Sequence, residues 1–249
     1  MNADSDTPAR LAMGGGAALE GIGACVFDAY GTLFDVSAAT ARCRGALGEQ
    51  ADALTELWRS KQLEYSWLRS LRGDYVDFWH ITGQSLDYAL ATLGLHEPAL
   101  RSRLMEMYFV LDAYPDVRET LWTLKAAGVR SAILSNGSPT MLTAAVHRAV
   151  LENFLDAVIS VDPVRIYKPH PTVYQLAVDR LRIPPEKICF LSSNYWDVSG
   201  AALFGFRVVW INRIGATPDA LPGQLEREIG SLSALPALLG VAAKAESSD

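Results

Sequence analysis

The stretch Cys25-Val26-Phe27-Asp28-Ala29-Tyr30-Gly31-Thr32-Leu33-Phe34-Asp35 decides the fold. A short apolar run ends in an aspartate, and a glycine turn comes immediately after it. That is the pattern of a buried strand handing a carboxylate to a loop. In open α/β sheets ligands bind outside the carboxyl ends of the strands. Asp28 therefore falls at the mouth of a site, with backbone amides of the turn beside it. An isolated aspartate before a glycine also reads as a solvated turn residue, and the rest of the chain has to decide between the two.

Downstream, from Ser37 to about Leu111, the pattern turns helical. Ala51 to Leu68 puts Leu54, Trp58, Gln62 and Tyr65 on roughly one face. Ser85–Leu93 and Ala99–Val110 give further helices, with Gly83, Gly94 and Pro98 as punctuation. From Tyr114 helices and strands alternate. Helices are expected at Asp116–Ala127, Pro139–Val150, Pro171–Leu181 and Asp197–Leu203, and strands at Arg130–Leu134, Ala157–Val161, Ile188–Leu191 and Arg207–Ile211. Such alternation means βαβ units and a parallel sheet. The expected fold is α/β, a Rossmann-like doubly wound parallel sheet core with an inserted α-helical cap. Residues 21–36 and 113–249 form the core and 37–112 the cap. Residues 1–20, rich in Gly and Ala, read as a disordered extension without the charged start and long apolar run of a signal peptide. Lys244 to Asp249 reads as a frayed tail.

Composition narrows the function classes. The chain has 249 residues, half of them hydrophobic and 20% charged, with 22 basic against 28 acidic side chains and a net charge of −6. No basic block is present, which disfavours nucleic acid. No apolar run is long enough to span a membrane. The three cysteines, Cys25, Cys43 and Cys189, are scattered and odd in number. They read as core residues in a reducing, cytoplasmic compartment, not as a disulfide frame or metal site.

Polar residues cluster just past the strand ends. Strand one ends at Asp28, strand two at Ser135-Asn136, strand three leads to a loop with Lys168, and strand four ends at Ser192-Ser193-Asn194 with Asp197 soon after. Singly, each has a plain explanation. Ser135 reads as a helix cap, Lys168 as a solvated lysine, and Asp197 as an acid stabilised by a helix N-terminus. Jointly, four strand ends deliver an acid, a hydroxyl with an amide, an ammonium and a second acid to one crevice.

These motifs, Asp28 with Gly31-Thr32, Ser135-Asn136-Gly137, Lys168-Pro169 and Ser192-Ser193-Asn194-Tyr195-Trp196-Asp197, resemble those of the haloacid dehalogenase superfamily of aspartate-nucleophile hydrolases. Most members of that superfamily are magnesium phosphatases, and this chain departs from them twice. Where they carry an acid for the leaving alcohol there is Tyr30, a poor proton donor at neutral pH. Where they carry the first acid of the fourth motif there is Ser193, with Ser192 in place of its glycine. Magnesium prefers carboxylate oxygens, so no metal or other cofactor is expected. Within the superfamily, Asp28 to Asp35, Leu57 to Trp67, Tyr167 to Tyr174 and Ser192 to Asp197 resemble the L-2-haloacid dehalogenases, and these motifs span core and cap.

The resemblance implies roles. Asp28 is the nucleophile that displaces halide from C2, and water then hydrolyses the aspartyl ester. Lys168 keeps Asp28 ionised. Asp197 and Asn194 hold and activate water, while Ser192 and Thr32 fix the carboxylates. Ser135 binds the substrate carboxylate. Arg59 in the cap receives the halide with Asn136 assisting, although an arginine on such a helix is also commonly a surface residue. Tyr30, Leu63, Phe78 and Trp196 line the carbon chain, for which the plain alternative is core packing. Tyr174 belongs to the shell around Lys168. The implied activity is hydrolysis of (S)-2-haloalkanoic acids, including haloacetates, to (R)-2-hydroxy acids by a homodimer. A small-molecule phosphatase of the same superfamily is the alternative, and a non-catalytic binding protein on the same scaffold comes third.

Overall fold

The computed structural model describes residues 18–241. Its sheet has six parallel strands in the order β3-β2-β1-β4-β5-β6. The strands are β1 (Ala24–Phe27), β2 (Arg130–Ser135), β3 (Ala157–Ser160), β4 (Ile188–Ser192), β5 (Arg207–Ile211) and β6 (Leu225–Ile229). Every side chain of β1 is buried, as a central parallel strand covered on both faces requires. Strand order reverses between β1 and β4, whose register pairs Cys25 with Cys189 and Phe27 with Leu191. Crevices at such a reversal are where ligands bind in these sheets.

Between β1 and the rest of the sheet lie α1 (Ser37–Arg42), α2 (Arg44–Leu47), α3 (Ala51–Arg72), α4 (Phe78–Thr92) and α5 (Pro98–Met107). The chain leaves and re-enters the core through an antiparallel neck. Asp35 N–H donates to Asp112 O at 3.0 Å, and Tyr114 N–H to Leu33 O at 2.9 Å. The remaining helices are α6 (Val117–Ala126), α7 (Pro139–Arg148), α8 (Pro171–Leu181), α9 (Tyr195–Phe204) and α10 (Leu235–Leu238). Along α3 the buried stripe is Ala51, Leu54, Trp58, Gln62 and Ser66, while Tyr65 is only half-buried.

Several sequence expectations need correction. The second cap helix starts at Phe78 and not near Ser85, because the Asp77 carboxylate caps it by accepting from His80 N–H. Gly83 does not punctuate; it lies within α4, where an added Cβ would come within 3.3 Å of Arg101 Nη2. Strand β6 was not expected. Its Leu-Glu-Arg-Glu-Ile alternation is half-buried throughout, as suits a charged edge strand. Most of the expected extension, residues 1–17, and the Lys244–Asp249 tail lie outside the described residues. Leu19, from the same N-terminal stretch, is not disordered. It is buried, and its N–H donates to Leu238 O at 2.7 Å.

Candidate active site

Asp28 comes directly after β1, and its N–H donates to Leu191 O at 2.8 Å, a tie to the neighbouring strand β4. The turn needs Gly31, whose φ is 87°, a region that side chains rarely adopt. The Asp28 side chain is 10% exposed. Its Oδ1 accepts from Lys168 Nζ at 3.1 Å. Its Oδ2 accepts from Asn194 Nδ2 at 3.1 Å and from Thr32 Oγ1 at 3.2 Å. Thr32 Oγ1 in turn accepts from Ser193 N–H at 2.8 Å, so the two loops at the strand reversal are stitched together.

Lys168 is the bridge between acids. It is 1% exposed, and its Nζ also donates to Asp197 Oδ2 at 2.9 Å. Burial disfavours its charge, but Asp197 and Asp28 outweigh burial and hold the ammonium above its ordinary range. Its backbone is placed by Asn136, whose Oδ1 accepts from Lys168 N–H at 3.0 Å. Asp197, on the first turn of α9, is fully buried and takes a second bond from Tyr174 Oη at 2.9 Å. Burial lifts its carboxyl to about 6 from the 3.8 of an unperturbed aspartate; Lys168 opposes the rise and the like charge of Asp28 adds to it. Ser192 Oγ accepts from Asn194 N–H at 3.1 Å, and Ser135 Oγ from Gly137 N–H at 3.1 Å.

The donor set does not suit a divalent cation. Serine stands at 193, and an oxygen of each carboxylate is already paired with the Lys168 ammonium. Among the described residues no cluster of three or more His, Cys, Asp or Glu side chains is placed to hold a metal.

Helix α3 and the turn that follows it reach over this centre. Trp67 Nε1 donates to Lys168 O at 3.2 Å, and its ring meets Trp196 edge-on at 5.4 Å. Tyr167 Oη donates to Val76 O at 2.5 Å. Tyr30 lies among Phe34, Phe78 and Tyr108, with ring centroids 6.0 to 6.4 Å away. It packs so close to Gly137 that a Cβ there would be 2.7 Å from Tyr30 Cε2. Tyr30 was expected as plain apolar wall, yet its buried hydroxyl has no partner among the described residues. Burial, reinforced by Tyr108 and Asp28, pushes that hydroxyl's pKa far up, and the Arg59 charge opposes the shift. Arg59 and Leu63 are half-buried on α3, one turn apart, and Arg59 Nη1 donates to Gln62 Oε1 at 2.8 Å. An open groove of about 750 Å³ is lined by Trp67, Trp196 and Leu203 beside Lys168; Asp28 and Arg59 are not in its wall.

Sequence reasoning missed several supports. In the sequence Gln62 reads only as part of a helical face, and nothing there marks Tyr108. Arg213 donates to Thr32 O at 3.0 Å and forks onto Asp116 at 2.8 and 3.1 Å, which braces the nucleophile loop from behind. The one sequence signal for any of these is a glutamine at a buried period of α3.

The parallel sheet thus carries an aspartate at the end of its first strand, a lysine bridging it to a second buried aspartate, and helices inserted after β1. The chain belongs to the haloacid dehalogenase-like hydrolases, whose family model matches residues 22–205. It is 50% identical over 222 residues to (S)-2-haloacid dehalogenase 1 of Pseudomonas sp. strain CBS-3, covering 89% of this chain and 98% of that one. It is 43% identical over 201 residues to haloacetate dehalogenase H-2 of Moraxella sp. strain B, covering 80% and 90%. The structure of L-2-haloacid dehalogenase from Xanthobacter autotrophicus with chloropropionic acid covalently bound is similar at a TM-score of 0.82 and 38% identity, covering 88% of this chain and 98% of that chain.

Proposed function

We propose that this chain is an (S)-2-haloacid dehalogenase that hydrolyses L-2-haloacids and haloacetates to (R)-2-hydroxy acids and halide through an ester on Asp28. The observation that carries the reading is the buried Asp28–Lys168–Asp197 set with serine at 193. The Lys168 ammonium holds Asp28 Oδ1 at 3.1 Å and Asn194 holds Oδ2 at 3.1 Å, which fixes the direction in which the carboxylate faces. That carboxylate attacks C2 in line, the carbon–halogen bond breaks with its electron pair leaving on the halide, and the configuration inverts. A halide needs no proton, so the lack of an acid at position 30 is no handicap, whereas a phosphate ester would need one.

Asp197 then takes a proton from water, and the resulting hydroxide adds to the Asp28 carbonyl carbon. The intermediate collapses, the hydroxy acid leaves with a proton from Asp197, and one proton passes to solvent. In this reading Asn194, Thr32 and Ser192 hold the reacting groups, and Tyr174 orients Asp197. Ser135 receives the substrate carboxylate, and Arg59 with Asn136 receives the halide. Tyr30, Leu63, Phe78 and Trp196 enclose the carbon chain. The same reading takes 37–112 as a cap on a core of 21–36 and 113–249, supported by the antiparallel neck at Asp35 and Tyr114. It also takes the enzyme as a cytoplasmic homodimer; among the described residues no helix is long and apolar enough to cross a membrane.

Halide release from (S)- and (R)-2-chloropropionate, with a phosphate-ester control, tests the function. The (S) enantiomer should react with inversion, and activity should survive exhaustive chelation. Hydrolysis of the ester alone, restored by magnesium after chelation, would establish the phosphatase instead.

A further inference from the structure

A helix that buries a glutamine has to satisfy its amide, because an unpaired buried amide is costly. Gln62 of α3 is fully buried, in the apolar stripe between Trp58 and Ser66. Its Oε1 accepts from Arg59 Nη1 at 2.8 Å and from Tyr108 Oη at 3.4 Å. Its Nε2 donates to Thr82 Oγ1 at 2.7 Å, and Thr82 Oγ1 donates to Phe78 O at 2.7 Å. The direction of this chain is forced from both ends. A guanidinium only donates and a carbonyl only accepts, so the amide between them has one workable orientation. Trp58 adds a bond from Nε1 to Thr82 O at 2.9 Å, and its ring packs 5.1 Å from Tyr108.

We propose that Gln62 is a positioning residue that braces the Arg59 guanidinium toward the departing halide without neutralising it. The inference rests on the function proposed above. A neutral acceptor fixes the planar fork and leaves its charge available to an anion, whereas a carboxylate at the same place would compete with the halide. The brace also links the two walls of the leaving-group pocket, since it runs from the cation on α3 to the carbonyl of Phe78 at the start of α4. Tyr108, just beyond α5, closes it from a third element.

The test compares wild type, Gln62→Met, Gln62→Glu, Arg59→Ala and the double variant Gln62→Met/Arg59→Ala. Chloride and bromide release are measured from the (S)-2-halopropionates, and bromide affinity is measured by calorimetry on the resting enzyme. Gln62→Met should lower kcat for the chloro substrate about tenfold, the loss expected for one hydrogen bond to a charged group. It should cost less for the bromo substrate, a better leaving group, and should weaken bromide binding. In the Arg59→Ala background it should change nothing further. Gln62→Glu should fold, since it is nearly isosteric, and should also bind bromide more weakly because its carboxylate offsets the guanidinium. Equal losses from Gln62→Met with and without Arg59 would show a merely structural role and overturn the proposal. So would wild-type rates and bromide affinity in Gln62→Glu, a variant that serves even if Gln62→Met fails to fold. A wild type that releases no halide would count against the dehalogenase reading alone; the brace is still judged by bromide affinity, and an affinity unchanged in Gln62→Glu overturns it.

Discussion

In the core, Asp28 and Asp197 are held by the opposite charge of Lys168; in the cap, Arg59 is held by the neutral amide of Gln62. The core group is buried, comes from three strand ends and carries one more negative than positive charge. Its acids are tied through one ammonium at 3.1 and 2.9 Å, and burial, with the like charge of Asp28, raises the Asp197 pKa against the pull of Lys168. The cap arginine is half-buried, comes from a single helix and, among the described residues, has a neutral amide as its side-chain hydrogen-bond partner. The difference matches the chemistry. In the proposed mechanism the core keeps a nucleophile and a base in place through two successive steps, while the cap receives charge that appears only as the carbon–halogen bond breaks. Electrostatic stabilisation is most effective where charge develops and the donors are already oriented.

The strongest way to break this comparison is at the nucleophile. Asp28→Asn should lose at least about 10⁴-fold in halide release. In single turnovers of the wild type in ¹⁸O water, label should enter Asp28 first and be missing from the first product. Label in first-turnover product would mean that water attacks the substrate directly and that the core holds no covalent nucleophile.

Arg59→Ala comes next, with an expected loss of about a hundredfold, the usual worth of one donor to a developing charge. Arg59→Lys should recover little, because a point charge does not reproduce the fork that Gln62 accepts from. Thermal unfolding should shift little in either variant, since the side chain is only half-buried. Near wild-type rates in Arg59→Ala would make the cap arginine an ordinary surface residue.

The pH profile sharpens the core side. In the proposed mechanism Asp197 accepts a proton from water and can do so only when ionised, so ester hydrolysis should fall about tenfold per pH unit below about 6 and level off above it. The sign for stability is the reverse of the usual carboxylate. The folded value lies above 3.8, so the native state binds this proton more readily than the unfolded chain does. The contribution of Asp197 is therefore fully present below about pH 4 and is lost as pH rises through about 6. Asp197→Asn should remove both the kinetic limb and that slope, as measured by rapid-quench ester hydrolysis and urea unfolding across pH 4 to 7. A kinetic limb that persists in Asp197→Asn would assign the base elsewhere.

The smallest effect is expected where core and cap meet. The Tyr30 hydroxyl has no partner among the described residues, so Tyr30→Phe removes a polar group that folding buries without return. Stability should rise by up to about 1 kcal/mol, with kcat/KM changed by less than about threefold. A lowered Tm would reveal a partner for the hydroxyl.

The sequence by itself determined the core of this protein. An apolar run such as Cys25–Phe27 is readable as a central strand because both of its faces must be buried. Residues at strand ends are readable as site candidates because parallel strands all open at one end. Asp28 follows β1, Ser135 and Ser192 end β2 and β4, and Asn194, Lys168 and Asp197 lie one loop or turn further on. The cap yielded less, because a helical period says which face is buried but not against what. The start of α4 rests on the local Asp77 cap, but the place of Gly83 inside it, the edge strand β6 and the docking of Leu19 depend on contacts distant in the chain. Only the tertiary structure decided that Gln62, which sequence reading placed in a helical stripe, meets Thr82, Tyr108 and Arg59, and that Arg213 braces the nucleophile loop. The physical reason is that a strand end is set by local sequence, whereas a buried hydrogen bond needs two partners whose approach is set by packing.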